Sequence, residues 1–100
     1  MRGNPVAYRN LYRHLKELLS FIEISLDSDF ILEELESAIY ECQRTFGKKH
    51  EFTKSLLTLQ KKLYKEYIDK KALPLSQNGG EMLKNHLEYF LSRYFKKELH

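Results

Sequence analysis

The sequence predicts an all-α fold, an antiparallel up-down four-helix bundle, and three observations predict it. Apolar residues recur at three- and four-residue spacing through four segments; no stretch alternates in the manner of a strand; and the 100 residues contain only two prolines and four glycines, too few for long loops or repeats. With 42% hydrophobic and 31% charged residues, a chain of this length fits one compact domain over residues 1–100, with one core.

The first helix is expected over about 6–26. Tyr8, Leu11, Leu15, Leu18 and Ile22, with Tyr12, Leu19 and Leu26 beside them, fall on one face. Asn4 can cap free amides, and Pro5 fits a first turn where its missing N–H costs nothing. SLDSD then breaks the pattern, and Asp29, Glu33 and Glu34 fall near the positive end of a second helix over 29–46. Ile31, Leu32, Leu35, Ala38, Ile39, Cys42 and Phe46 form its apolar side, and Gly47 is its stop signal. A third helix over 50–71 carries Phe52, Leu56, Leu59, Leu63 and Tyr67 inward and Lys54, Lys61, Lys62 and Lys65 outward. A fourth over 77–97 is defined by Met82, Leu83, Leu87, Phe90, Leu91, Tyr94 and Phe95. Short connections make successive helices antiparallel neighbours.

The corner DKKALPLSQNGG, residues 69–80, joins the last two helices. Pro74 disfavours helical geometry at Leu73, Leu73 and Leu75 can cover the open end of the core, and Ser76 can cap the last helix. Gly79 and Gly80 each cost about 1 kcal/mol relative to alanine in a helical turn, so that turn is expected to fray, the other reading being close approach of another chain to bare backbone.

Charge is divided unevenly. Residues 1–43 hold four basic and eight acidic side chains, or −4, and residues 44–100 hold thirteen and six, or +7. A cationic second half suits an anionic partner or acidic lipid head groups, although solvated lysines also serve solubility. The N-terminal stretch lacks the uninterrupted apolar run of a signal peptide, and no window approaches the roughly 18 apolar residues of a spanning helix. Cys42 has no cysteine to pair with and sits among apolar residues, which points to a buried thiol and is compatible with a reducing cytosol.

Chemistry-bearing motifs are absent. The glycine pair neither follows a strand nor opens a phosphate-binding loop, and the four histidines, His14, His50, His86 and His100, show no mutual i+3 or i+4 spacing. No catalytic, cofactor-binding or metal-ligating residues are expected, and the chain is not expected to be an enzyme. The candidate partner-binding residues are Lys61, Lys62 and Lys65, with an exposed aromatic end formed by Tyr89, Tyr94 and Phe95 beside Lys96 and Lys97, the other reading of that end being the normal close of the core. A small basic helical nucleic-acid-binding or regulatory protein is the alternative, since Tyr64 or Tyr67 could stack a base beside these lysines. Against it, no arginine occurs between Arg44 and Arg93.

The stretch LLTLQKKLYKEYIDKKALPLSQNGGEMLKNHLEYFLSRY resembles the immunity proteins of pediocin-like bacteriocins, the enterocin A immunity group, in its leucine-tyrosine patch, its YIDKKALPLS ending and its EMLKNHLEYFL helix. The helix pattern matches over roughly 8–95 and the more specific residues lie in about 54–91. The double glycine and the short tail after Leu91 depart from the family pattern, in which a longer C-terminal extension helps to select the bacteriocin. The resemblance implies a cytosolic, left-turning antiparallel bundle that protects its producer without destroying the toxin. It also implies a partner: the mannose phosphotransferase components of a bacteriocin-engaged membrane receptor, met from the cytosolic side, with no small-molecule substrate and with room for peripheral membrane contact.

Overall fold

The computed structural model describes residues 5–24, 28–70 and 77–95, the side chains of 28, 67–70 and 77 excepted. Four helices account for nearly all of them: α1 (Pro5–Ile22), α2 (Ser28–Phe46), α3 (Glu51–Lys70) and α4 (Gln77–Tyr94). α1 packs on α2 and α4, and α3 packs on α2 and α4, so the helices close a square; across its diagonal only the ends of α2 and α4 meet among the ring contacts, where Phe46 and Tyr94 lie 5.8 Å apart. Antiparallel order is visible in the side chains that meet. Asn10, His14 and Phe21 along α1 face Glu41, Glu34 and Phe30 in reverse order along α2. Cys42 near the end of α2 meets Thr53 at the start of α3, and Tyr94 at the end of α4 meets Phe52 and also Tyr8 at the start of α1.

The apolar stripes converge on one core as the spacing requires. Leu11, Leu15 and Leu18 of α1, Ile31, Leu35 and Cys42 of α2, Phe52, Leu56, Leu59 and Leu63 of α3, and Leu83 and Leu87 of α4 are all buried. Tyr8, Tyr12, Leu19, Phe46 and Met82 pack against its margin. Leu26, Tyr67, Leu73, Pro74, Leu75 and Ser76, assigned above to the stripes or the corner, lie outside the described side chains, as does the cap assigned to Asn4.

Helix ends follow local chemistry more closely than periodicity. α1 stops at Ile22 rather than continuing to 26. The amide of Ile24 donates to the carbonyl of Phe21 at 2.9 Å, a tightened i→i−3 closure, and Ile24 is left 83% exposed. α2 ends where its glycine predicts: Gly47 has φ of 95°, and its amide donates to the Gln43 carbonyl at 3.0 Å. His50 is not the first helical residue of α3 but its cap. Its Nδ1 accepts the Phe52 amide proton at 3.0 Å while its carbonyl accepts that of Lys54 at 3.0 Å, the first bond of the α3 ladder.

The α2–α3 turn is fastened from inside. The Thr53 hydroxyl, fully buried, donates to the Gly47 carbonyl at 2.7 Å and lies 3.3 Å from Cys42 Sγ. The hydroxyl has one proton and the carbonyl can only accept, so the thiol must donate to Thr53 Oγ1. Cys42 is therefore a protonated, structural thiol, and burial pushes its pKa up to about 11. Glu41, almost buried, has its carboxylate held by Asn10 of α1 at 3.4 Å and by Arg44 at 3.0 Å.

The expected fraying at the start of α4 is not what the fold shows: Gly79 and Gly80 are helical and buried. A Cβ on Gly79 would lie 2.5 Å from Glu66 Oε1 of α3, so the glycine makes room for a carboxylate at the electropositive first turn of α4. In a Glu66→Ala background that steric conflict disappears, and Gly79→Ala should then stabilise the protein by about 0.5–1 kcal/mol through helix propensity; a denaturant titration showing destabilisation would contradict this account of the glycine.

The core supplies a second expectation. Leu15, Leu35, Leu59 and Leu87 are each at most 1% exposed, so truncation of any one to alanine should cost about 2–5 kcal/mol. Four thermal melts matching the parent would overturn the helical phases.

Candidate partner-binding faces

The lysines expected to contact a partner do face solvent. Lys61, Lys62 and Lys65 are exposed on α3, and Lys54 joins them about two to three turns nearer the helix start. Lys54, Thr58 and Lys62 recur every four residues, so they form one row along the helix. That row, with Ser55 and with His86 of α4, borders a shallow groove of about 230 Å³ over the buried Leu59. His86 Nδ1 lies 2.8 Å from its own helix's Met82 carbonyl, which can only accept. Nδ1 therefore carries the proton, and Nε2 remains as the ring's other polar atom. Two cations and two hydroxyls there can hold an anionic group.

The aromatic end requires correction. Tyr89 is exposed as expected, at 54%, but Phe95 is fully buried and Tyr94 is half-buried. α4 ends at Tyr94, and the next residue turns its ring into the core against Tyr8 and Tyr12, with ring centroids 4.9 and 5.4 Å away. Burying a phenylalanine is worth roughly 2–3 kcal/mol, which favours this arrangement over a ring left in water for a partner. Removing residues 92–100 would therefore take out a core side chain rather than only a docking surface. Lys96 and Lys97 lie outside the described residues.

Tyr94 is also committed within the fold. Its ring stacks on Phe52 at 4.6 Å and 4°, and its hydroxyl donates to Glu51 Oε2 at 2.6 Å, an oxygen that also lies 3.4 Å from Arg93. This triad locks the end of α4 to the start of α3. The phenol's hydrogen bond, reinforced by the Arg93 charge, holds the Glu51 carboxyl below its ordinary value, whereas burial and the same bond raise the Tyr94 phenol. Both directions follow from a proton on Tyr94 and a charge on Glu51. The Glu51 contribution is lost as pH falls through its lowered pKa, and the Tyr94 contribution as pH rises through its raised one.

Sequence reasoning missed one further cluster. His14 and Glu17 of α1 and Glu34 of α2 bring one ligand-capable atom each within 4.8 Å of one another. His14 Nδ1 and Glu34 Oε1 are 2.9 Å apart, a pairing across the α1–α2 seam that needs no ion. Twenty residues separate that pair, so no local spacing could have announced it. No helix among the described residues is long and apolar enough to cross a membrane. Compared with family models, curated proteins and solved structures, the chain matches none.

The Tyr94–Glu51 bond gives a direct test of this end of the molecule. Tyr94→Phe should move the Glu51 titration midpoint upward, toward the ordinary carboxylate value, in a carboxyl-carbon NMR titration. An unchanged midpoint would mean that Arg93 alone sets it.

Proposed function

We propose that this chain is a bacteriocin immunity protein: a non-catalytic, cytosolic binding module that protects its producer by acting on a bacteriocin-engaged mannose phosphotransferase membrane receptor from the inner face. The observation that carries the reading is the exposed row of lysines on α3, with its groove toward α4. It occupies the part of the chain, about 54–91, in which the resemblance to the enterocin A immunity group is strongest. A cationic helix on a small bundle suits a surface beside acidic head groups, where each lysine contributes about 1 kcal/mol. Tyr64, 38% exposed between Lys61, Lys62 and Lys65, is the observation that keeps single-stranded nucleic acid as a second reading.

Expression in a bacteriocin-susceptible strain tests the proposal, with protection as the expected result. The triple variant Lys61→Glu, Lys62→Glu, Lys65→Glu should keep its helical circular dichroism, lose protection, and bind anionic vesicles more than tenfold more weakly at low salt. An unprotected strain carrying the well-folded parent would overturn the immunity reading. Salt-sensitive binding of single-stranded oligonucleotides in its place would favour the second one.

A further inference from the structure

A second and larger groove, of about 570 Å³, lies along α1 where it meets the start of α2. Its floor is apolar: Tyr12, Phe21, Ile24 and Phe30, with the rings of Phe21 and Phe30 only 4.0 Å apart and Ile24 and Phe30 among the exposed large apolar side chains. Arg13 and Lys16 stand at its edge, together with Glu17. Residues 1–43 carry a net charge of −4 with only four basic side chains, so placing two of those four here concentrates positive charge against the local trend. Neither cation is engaged in an ion pair with a described carboxylate.

Shape and charge together select an occupant. The groove follows α1 from Tyr12 to Phe21, which at about 1.5 Å per residue is roughly 14 Å, or about two and a half helical turns, and it continues to Ile24 beyond the helix end. An apolar strip of that length accepts the side-chain ridge of a helix. The cationic edge calls for carboxylates on the incoming helix. We propose that this groove docks an acidic amphipathic helix of a partner protein, with the helix's apolar ridge on Phe21, Ile24 and Phe30 and its carboxylates opposite Arg13 and Lys16. The site belongs to α1 and α2, away from the α3 lysine row, and does not rest on the immunity reading.

The test uses the full chain and a fluorescein-labelled 16-residue peptide with leucine at positions 3, 7, 10 and 14, glutamate flanking that stripe and alanine elsewhere. A control peptide carries lysine in place of each glutamate. Anisotropy should show saturable one-to-one binding of the acidic peptide and at least tenfold weaker binding of the control. Arg13→Glu with Lys16→Glu should reverse that preference. Ile24→Asp, at an exposed turn position that leaves the core intact, should weaken binding at least tenfold while the melting temperature stays at that of the parent. The Lys61, Lys62, Lys65 charge-reversal variant should bind the acidic peptide within twofold of the parent, which separates this site from the α3 face. The proposal is overturned if Ile24→Asp leaves peptide binding unchanged, or if the two peptides bind alike. It is equally overturned if Ile24 supports only self-association in sedimentation equilibrium or only adsorption to phosphatidylglycerol vesicles.

Discussion

Phe52 is the residue through which the helices of this bundle are held at one end. Fully buried at the start of α3, its ring lies within 4.5–6.3 Å, centroid to centroid, of Phe46 on α2, Phe90 and Tyr94 on α4, and Phe95 just beyond it. Phe95 passes the contact on to Tyr8 and Tyr12 of α1. Each such ring pair adds about 0.5–1.5 kcal/mol beyond the area it buries, and their common dependence on Phe52 makes them cooperative. The amide of Phe95 still donates to the Leu91 carbonyl at 3.0 Å, so its ring falls in line with Leu83, Leu87 and Leu91 on the buried face.

That use of aromatic surface governs what is left for recognition. With Tyr94 bonded to Glu51 and Phe95 enclosed, the end of α4 has little apolar surface to offer, and the exposed features lie along the sides of the bundle. One side presents cations over a small groove with little apolar floor. The other presents apolar rings with cations only at the edge. The first attracts anions through field and loses strength with salt; the second gains from shape and desolvation and discriminates among partners by the chemistry of their ridge. Proteins with two such faces can hold two different surfaces at once.

The fold was legible to the extent that burial is periodic. The leucines at positions 15, 35, 59 and 87 lie where the 3.6-residue period puts them, because each is deep within a helix whose phase many residues agree on. The ends were legible only where a residue has a single dominant use, as at Gly47. Histidine is outside the usual set of capping residues, so His50 gave no signal. Leu26 looked like one more turn of α1 because its spacing from Leu19 and Ile22 fits the stripe, yet the i→i−3 bond from Ile24 to Phe21 closes the helix before it. Phe95 follows Leu83, Leu87 and Leu91 at four-residue spacing and is buried as that stripe requires, so its second assignment, to an exposed end, went against the spacing. Exposure of the α3 lysines was readable from their phase, but the groove that Lys54 and Lys62 share with His86 was not, since it depends on how α4 lies beside α3.

The α2–α3 turn links these two kinds of feature. Lys54, the first member of the lysine row, directly follows Thr53, whose hydroxyl is fastened to Gly47 and accepts the Cys42 thiol proton. The amide of Lys54 is itself bonded to His50, the capping residue. The exposed cation is thus carried by backbone held through three hydrogen bonds, of which the Cys42–Thr53 contact is buried, where a hydrogen bond is stronger than it would be in water. Ordering this end of the lysine row is done by folding, before any partner arrives, so binding there loses less conformational entropy than it would on a mobile loop. On this account the buried thiol serves the surface: it completes the clamp that fixes where the row begins, and its own chemistry stays silent because burial keeps it protonated.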